Sequence, residues 1–261
     1  MVEFFKALGV QSRVVHAFIL RETRTRFGRS RLGYLWALFE PMAYILTLIG
    51  IYSALGRGAP IDVDITLFFF SGVIPWLMFT RMLTALSNVV DASQALLAYP
   101  HVKLLDLVVA RIILEFSTLM VVAVLYLLLA GLVMGTYDGM ENVAGVLGGL
   151  FMATFLGAGL GLVGSAIRLY LPAYSNFQSV LTRLLFFTSG LFFLADSLPR
   201  ELREVLWYNP VLHILEWTRS AFFTGFESNF YDLRYPLFAM LILLYLGLAA
   251  ERVTRRRIRQ V

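Results

Sequence analysis

Five ionisable side chains lie inside long apolar runs of this 261-residue chain, where hydrocarbon would make a charge costly. Glu40 stands about 6 residues into the first run, Arg111 about 7 into the third and Arg183 about 8 into the fifth, while Arg81 precedes the end of the second by about 9. At 1.5 Å per residue these four fall roughly 9–14 Å from the cytoplasmic edge, and Glu115 sits one turn deeper than Arg111 on the same helix face. Two readings are open. The groups can form interhelical ion pairs that brace a bundle. Alternatively, three arginines against two glutamates make a polar vestibule, net positive by one charge, for an anionic substrate. Arginine suits the second role because it keeps its charge when desolvated and pairs bidentately with phosphate or carboxylate.

Other chemistry is thinly represented. The two lysines, Lys6 and Lys103, are followed by Ala7 and Leu104, so neither belongs to a phosphate-cradling G-x-x-x-x-G-K-[ST] loop. If ATP drives this protein, another subunit binds it with its magnesium, and the chain itself carries no cofactor. His213 and Glu216 are one helical turn apart, a metal-ligand spacing, but no further His or Cys lies nearby to complete a site. There is no cysteine and no G-x-S-x-G elbow, which leaves a membrane-embedded transferase without a catalytic cluster. Aromatic residues reach 15%. Most suit the interfacial belts of a membrane protein. Tyr34, Trp36, Phe39, Tyr44 and Tyr52 on the first run, with Phe192 and Phe193 at the far end of the fifth, are candidates to stack on apolar sugar faces along a pathway.

The elements that must position these residues follow from composition. Apolar residues make up 59% of the chain, charged residues 15%, and the mean hydropathy is +0.76. So few charges cannot wet the surface of a soluble domain of this length. Six runs approach the 20 or so residues needed to cross a bilayer: 34–55, 66–90, 104–134, 143–167, 175–194 and 235–250. The expected fold is an all-α polytopic membrane protein with six transmembrane helices occupying 34–250. Between the last two spans, 195–234 is amphipathic and interrupted by Pro199 and Pro210, and reads as short re-entrant or interfacial helices.

Arginines cluster before the first span and after the last, in the segments 1–33 and 251–261, which places both termini in the cytoplasm. Arg200, Arg203, Arg219 and Arg234 then fall in the outward loop, matched there by acidic residues such as Asp196, Glu204 and Glu216. The charge of +5 thus sets topology, and nucleic acid is not an expected partner. The first 33 residues are too long and too charged for a signal-peptide n-region. Val14, Val15, Phe18 and Ile19 form a stripe at helical spacing with Arg13, Arg21 and Arg24 interleaved, as in an amphipathic helix lying against membrane lipids. The cytoplasmic loop 91–103, DASQALLAYPHVK, starts with a helix-initiating Asp and carries Leu96, Leu97 and Tyr99, which would face water unless a partner covers them. Gln94, Leu96, Leu97, Tyr99, Pro100 and His101 are the candidate docking residues.

The run LRETRTRFGRSRLGYLWALFEP (20–41) resembles the N-terminal signature of permease subunits of ABC-2-type polysaccharide exporters. Glu40–Pro41 and HVKLLDLVVARIILE (101–115) resemble the capsule-exporting branch, the KpsM type. SGVIPW (71–76), SGLFFLADSLP (189–199) and the LW…P…H…E…R pattern from Leu206 to Arg219 extend the likeness over essentially the whole chain. Asn209 before Pro210 is a form more typical of the wider polysaccharide and drug exporter group. The resemblance implies a homodimer in the bacterial inner membrane, paired with two cytoplasmic ATPase subunits. Its implied cargo is polysaccharide built on a lipid carrier, passed to periplasmic and outer-membrane export proteins. An interface helix, a coupling helix after the second span and a re-entrant pair before the sixth are features of that family. Alternatives are an exporter of O-antigen or teichoic-type polymer, of a lipid or of a drug.

Overall fold

The computed structural model describes residues 2–27, 33–97, 102–135 and 140–258. Among them the chain is helical, with no strand. Helix α1 spans Val2–Phe27, α2 Gly33–Ala54 and α3 Ile65–Ser87; a tight turn at Asp91–Ser93 runs into the single turn α4, Gln94–Leu97. Then come α5, Leu104–Leu129, widened into a π turn at Ala130–Met134, and α6, Val143–Arg168. Helix α7 spans Tyr174–Thr188, α8 Arg200–Leu206, α9 Pro210–Phe222 and α10 Arg234–Ile258.

The ends follow local chemistry. Asp64 accepts from the amides of Thr66 and Leu67 and starts α3; Asn142 accepts from Gly145 and starts α6. Pro199 precedes α8, and Asn209 caps α9 with Pro210 in its first turn, so both prolines mark helix limits as expected.

Helix α3 is the hub, with 83% of its apolar window buried against α2, α5, α6 and α9; α10 buries only 17% of its own. In lipid there is little hydrophobic drive between helices, so close approach of backbones must hold them. Helix α6 achieves it with glycine. A Cβ on Gly157 would come within 2.3 Å of the Phe79 carbonyl oxygen of α3, and one on Gly161 within 2.8 Å of Leu83 O.

Four helical segments are long and apolar enough to cross a membrane: Ile65–Ser87, Leu104–Leu132, Val143–Arg168 and Arg234–Val253. The other two expected spans are shorter. The apolar stretch in α2 is Phe39–Ala54, and α7, at 15 residues, reaches only about 22 Å against a hydrocarbon core of about 30 Å. The expected fifth span ran to residue 194, but α7 ends at Thr188 because Gly190 turns with φ +75° and the next carbonyls point at Arg219 instead of continuing the ladder. Helix α10 continues eight residues past the expected end, to Ile258.

The half-buried stripe of α1, including Phe18, packs toward α5 and the base of α3, with Arg13, Arg21 and Arg24 outward. Gln11 donates to Asp106 Oδ1 at 2.7 Å and ties α1 to the start of α5.

Candidate functional site

A cleft of about 670 Å³ opens between α2, α3, α7 and the end of α6. From α3 it takes Trp76, Leu77, Thr80, Thr84 and Asn88, most at the four-residue spacing that puts side chains on one helix face. From α7 it takes Ser175, Gln178, Ser179, Thr182, Arg183 and Phe186; Tyr44 and Arg168 complete the wall. Two hydroxyl-bearing faces therefore oppose one another. The hydroxyls of Thr80, Ser175, Ser179 and Thr182 donate to backbone carbonyls three or four residues earlier, which leaves their oxygen lone pairs to accept from a guest. Gln178 Oε1 is buried without a hydrogen-bond partner among the described residues.

The cleft is graded in polarity. Near the α3–α4 corner lie Asn88, Arg168 and Ser175. At the other end Phe186 meets Trp76 at 5.7 Å, Tyr44 edge-on at 5.9 Å and Phe192 edge-on at 5.1 Å. Two guanidinium groups and no carboxylate line it among the described residues. Such a surface gives hydroxyl acceptors, two fixed positive charges and an aromatic floor, which is chemistry for a hydroxylated, anionic chain.

The five expected intramembrane charges are not gathered at one site. Arg81 pairs with Glu40 at 2.7 Å, half-exposed, on the α2–α3 contact. Arg111 is buried and donates to Ala85 O at 2.7 Å and to Ser93 Oγ at 3.4 Å, with Glu22 of α1 at 3.9 Å. Glu115 is buried one turn along. Arg183 alone of the five lines the cleft, and it takes part in none of the ion pairs among the described residues.

Of the expected pathway aromatics, Tyr44 lines the cleft and Phe192 packs on Phe186. Tyr52 bonds its hydroxyl to the Phe192 carbonyl and packs its ring on Phe69. Phe193 packs instead with Ala195, Leu212 and Phe230, while Trp36 and Phe39 stack on each other at the surface. The side chain of Tyr34 lies outside the described residues.

In the docking segment, Gln94 is exposed with its neighbours Ala92 and Ala95. Leu96 and Leu97 do not face water as expected: they are half-buried against the cluster of Met82, Leu86 and Leu107 at the base of α3 and α5. Tyr99, Pro100 and His101 lie outside the described residues.

The segment 195–234 holds the largest surprise. Arg219, expected among the charges of this segment matched by acidic residues, is fully buried. Its guanidinium donates to the carbonyls of Gly190, Leu191 and Phe193, lies 4.2 Å above the Phe68 ring and stands 3.9 Å from Glu216. Glu216 accepts from the Ala195 amide at 3.1 Å, and Asn209 donates to Thr188 and Ser189. His213 Nδ1 accepts from the Asp232 amide, so Nε2 carries the proton and donates to Trp207 O at 2.8 Å. Both ring nitrogens are thereby committed to the backbone, and the His213–Glu216 spacing serves packing.

Counting charges by depth missed Arg168 and the hydroxyl faces. Trp76, Thr80, Thr84 and Asn88, and likewise Ser175, Ser179 and Thr182, repeat at helical spacing and could have been read as polar stripes in apolar helices.

The model of the family described as ABC-2 type transporter matches residues 13–223. Over 93% of this chain and 94% of the relative, the sequence is 34% identical to the polysialic acid transport protein KpsM of Escherichia coli. It is 26% identical to the capsule polysaccharide export inner-membrane protein CtrC of Neisseria meningitidis over 94% of this chain and 92% of the relative. Coverage is the same for BexB of Haemophilus influenzae, also a capsule polysaccharide export inner-membrane protein, at 24% identity. With apolar helices of spanning length, a polar cleft between them and a match over most of its length, the chain belongs to the ABC-2 type transporter family.

Proposed function

We propose that the chain is the transmembrane subunit of an ATP-driven exporter that moves a lipid-linked capsular polysaccharide across the bacterial inner membrane. The observation that carries this reading is the cleft, whose hydroxyl faces, two arginines and aromatic floor match a hydroxylated anionic polymer. The similarity to the transport protein KpsM and the capsule polysaccharide export proteins CtrC and BexB supports it. ATP and magnesium belong to a partner ATPase docked on the cytoplasmic corner around 91–103.

Helices α2 and α7 complete a six-span topology with both termini in the cytoplasm, and α8 and α9 enter the outer leaflet at the exit. Trp36, Leu46 and Ile51 of α2 and Phe177, Leu184 and Phe187 of α7 are large apolar groups exposed on two of the helices that form the cleft. A second copy laid on that face would enclose a path too wide for one bundle, so the working unit is a homodimer with two ATPase subunits. Periplasmic and outer-membrane export proteins receive the polymer. Residues 1–33 form the basic interface segment, 34–250 the six-span unit and 251–261 the basic tail.

Deleting the gene tests the proposal. Loss of surface polysaccharide, with polymer retained inside on its lipid carrier and restored by the intact gene, is the expected result. Unchanged surface polysaccharide would sink it.

A further inference from the structure

Arg168 belongs to two places at once. It ends α6 and lines the polar end of the cleft, yet its guanidinium also reaches the corner that precedes the docking segment. One terminal nitrogen bonds the side-chain oxygen of Asn88, and the other meets Asp91 Oδ2 at 2.8 Å. Asp91 opens the turn that leads directly into α4.

Exposure separates this contact from those of Arg219 and Arg111, and its place in the cleft wall separates it from the comparably open Arg81–Glu40 pair, which does not line the cleft. Arg219 is sealed, and Arg111 is buried against backbone carbonyl and Ser93. Arg168 retains 22% of its side-chain surface, and Asp91 retains 51%. A pair so open to water is weak, screened and easily exchanged for another anion. An anionic guest of the cleft that Arg168 lines would meet the guanidinium directly.

We propose that Arg168 is a positioning residue for transport, holding Asp91 when the cleft is empty and passing to an anionic group of the polymer when it is filled. Release of Asp91 then frees the turn at 91–93 and reports occupancy to the ATPase. The proposal rests on the reading that the cleft carries substrate and that the 91–103 corner docks the ATPase.

The test uses the complex of this chain with its ATPase subunit in lipid vesicles, measuring hydrolysis without substrate, together with export in cells. Asp91→Asn removes the anion that holds Arg168, so hydrolysis without substrate should rise about threefold or more while export falls. The exchanged pair Asp91→Arg with Arg168→Asp restores a contact of opposite sense. Hydrolysis should then fall at least halfway back from the Asp91→Asn rate, yet export should stay absent because a carboxylate now stands in the cleft. If the exchanged pair restores export as well, the contact is a brace and the proposal is overturned. An Asp91→Asn complex with ordinary hydrolysis and export overturns it too.

Co-purification of the ATPase with each variant guards against misfolding. It also separates this idea from its premise: an ATPase that still binds and hydrolyses normally with Gln94→Glu and Ala95→Arg together removes the docking corner itself. Gel-shift binding of a decagalacturonate against a maltodextrin of equal length checks the cleft. Equal retention of both would remove the anionic guest.

Discussion

The knot around Arg219 and the cleft around Arg168 and Arg183 use the same side chain under opposite conditions. In the knot, the guanidinium is fully buried, meets three carbonyls and an aromatic face, and has Glu216 beside it. Removing it would strand a buried carboxylate and three carbonyls, so the group is bound into the fold. In the cleft, Arg183 lines an open wall and enters none of the ion pairs among the described residues, while Arg168 holds one half-exposed acid. There the arginines contribute little to folding and remain available to a guest. Burial, rather than residue type or depth along the chain, decides which role an arginine takes.

That contrast can be broken at several points. Arg219→Ala should show the largest effect, a loss of about 3–5 kcal/mol that removes most folded protein; yield and thermal unfolding in detergent measure it. A well-folded Arg219→Ala protein would dissolve the distinction between the two regions. Asn209→Ala should cost about 1–2 kcal/mol, because the amide caps α9 and also bonds Thr188 and Ser189, and the same unfolding curve reads it.

Arg183→Gln should change stability by less than about 0.5 kcal/mol while export falls roughly 10-fold, the loss of one charge-assisted contact to substrate. If stability and export decline together, Arg183 is a brace like Arg219. Thr80→Val is the smallest test. Its hydroxyl hydrogen already serves the Trp76 carbonyl, so the fold should stay within about 0.5 kcal/mol and export drop no more than a few-fold.

Local chemistry made much of the fold readable in advance. Long apolar runs located the helices, and Pro199 and Pro210 marked the limits of α8 and α9. Where tertiary contacts intervene, that reading stopped short. Helix α7 loses six expected residues because the carbonyls of Gly190, Leu191 and Phe193 are claimed by an arginine nearly 30 positions later in the chain. The same side chain read as one of several arginines matched by acidic residues, since nothing local says that Phe68 covers it.

In the site, Arg183 and Tyr44 were found by type and depth, whereas Arg168 was passed over because it falls at a helix end, where a basic residue needs no explanation. Leu96 and Leu97 were expected to need a partner to cover them because the base of α3 and α5 that does so is distant in sequence.

The glycine contacts of α6 have a mechanical consequence. With backbone against backbone at Gly157 and Gly161, α3 and α6 have no compressible side-chain layer between them and can neither slide nor separate without losing the seam. They form one stiff wall of the cleft, a stator. Helix α7 turns Phe177, Val180, Leu184 and Phe187 away from its own bundle, and α2 does the same with Trp36 and Leu46. The opposite wall is therefore the compliant one, and widening the cleft for a bulkier guest would be work done on α2 and α7 while the glycine-seamed pair stays still.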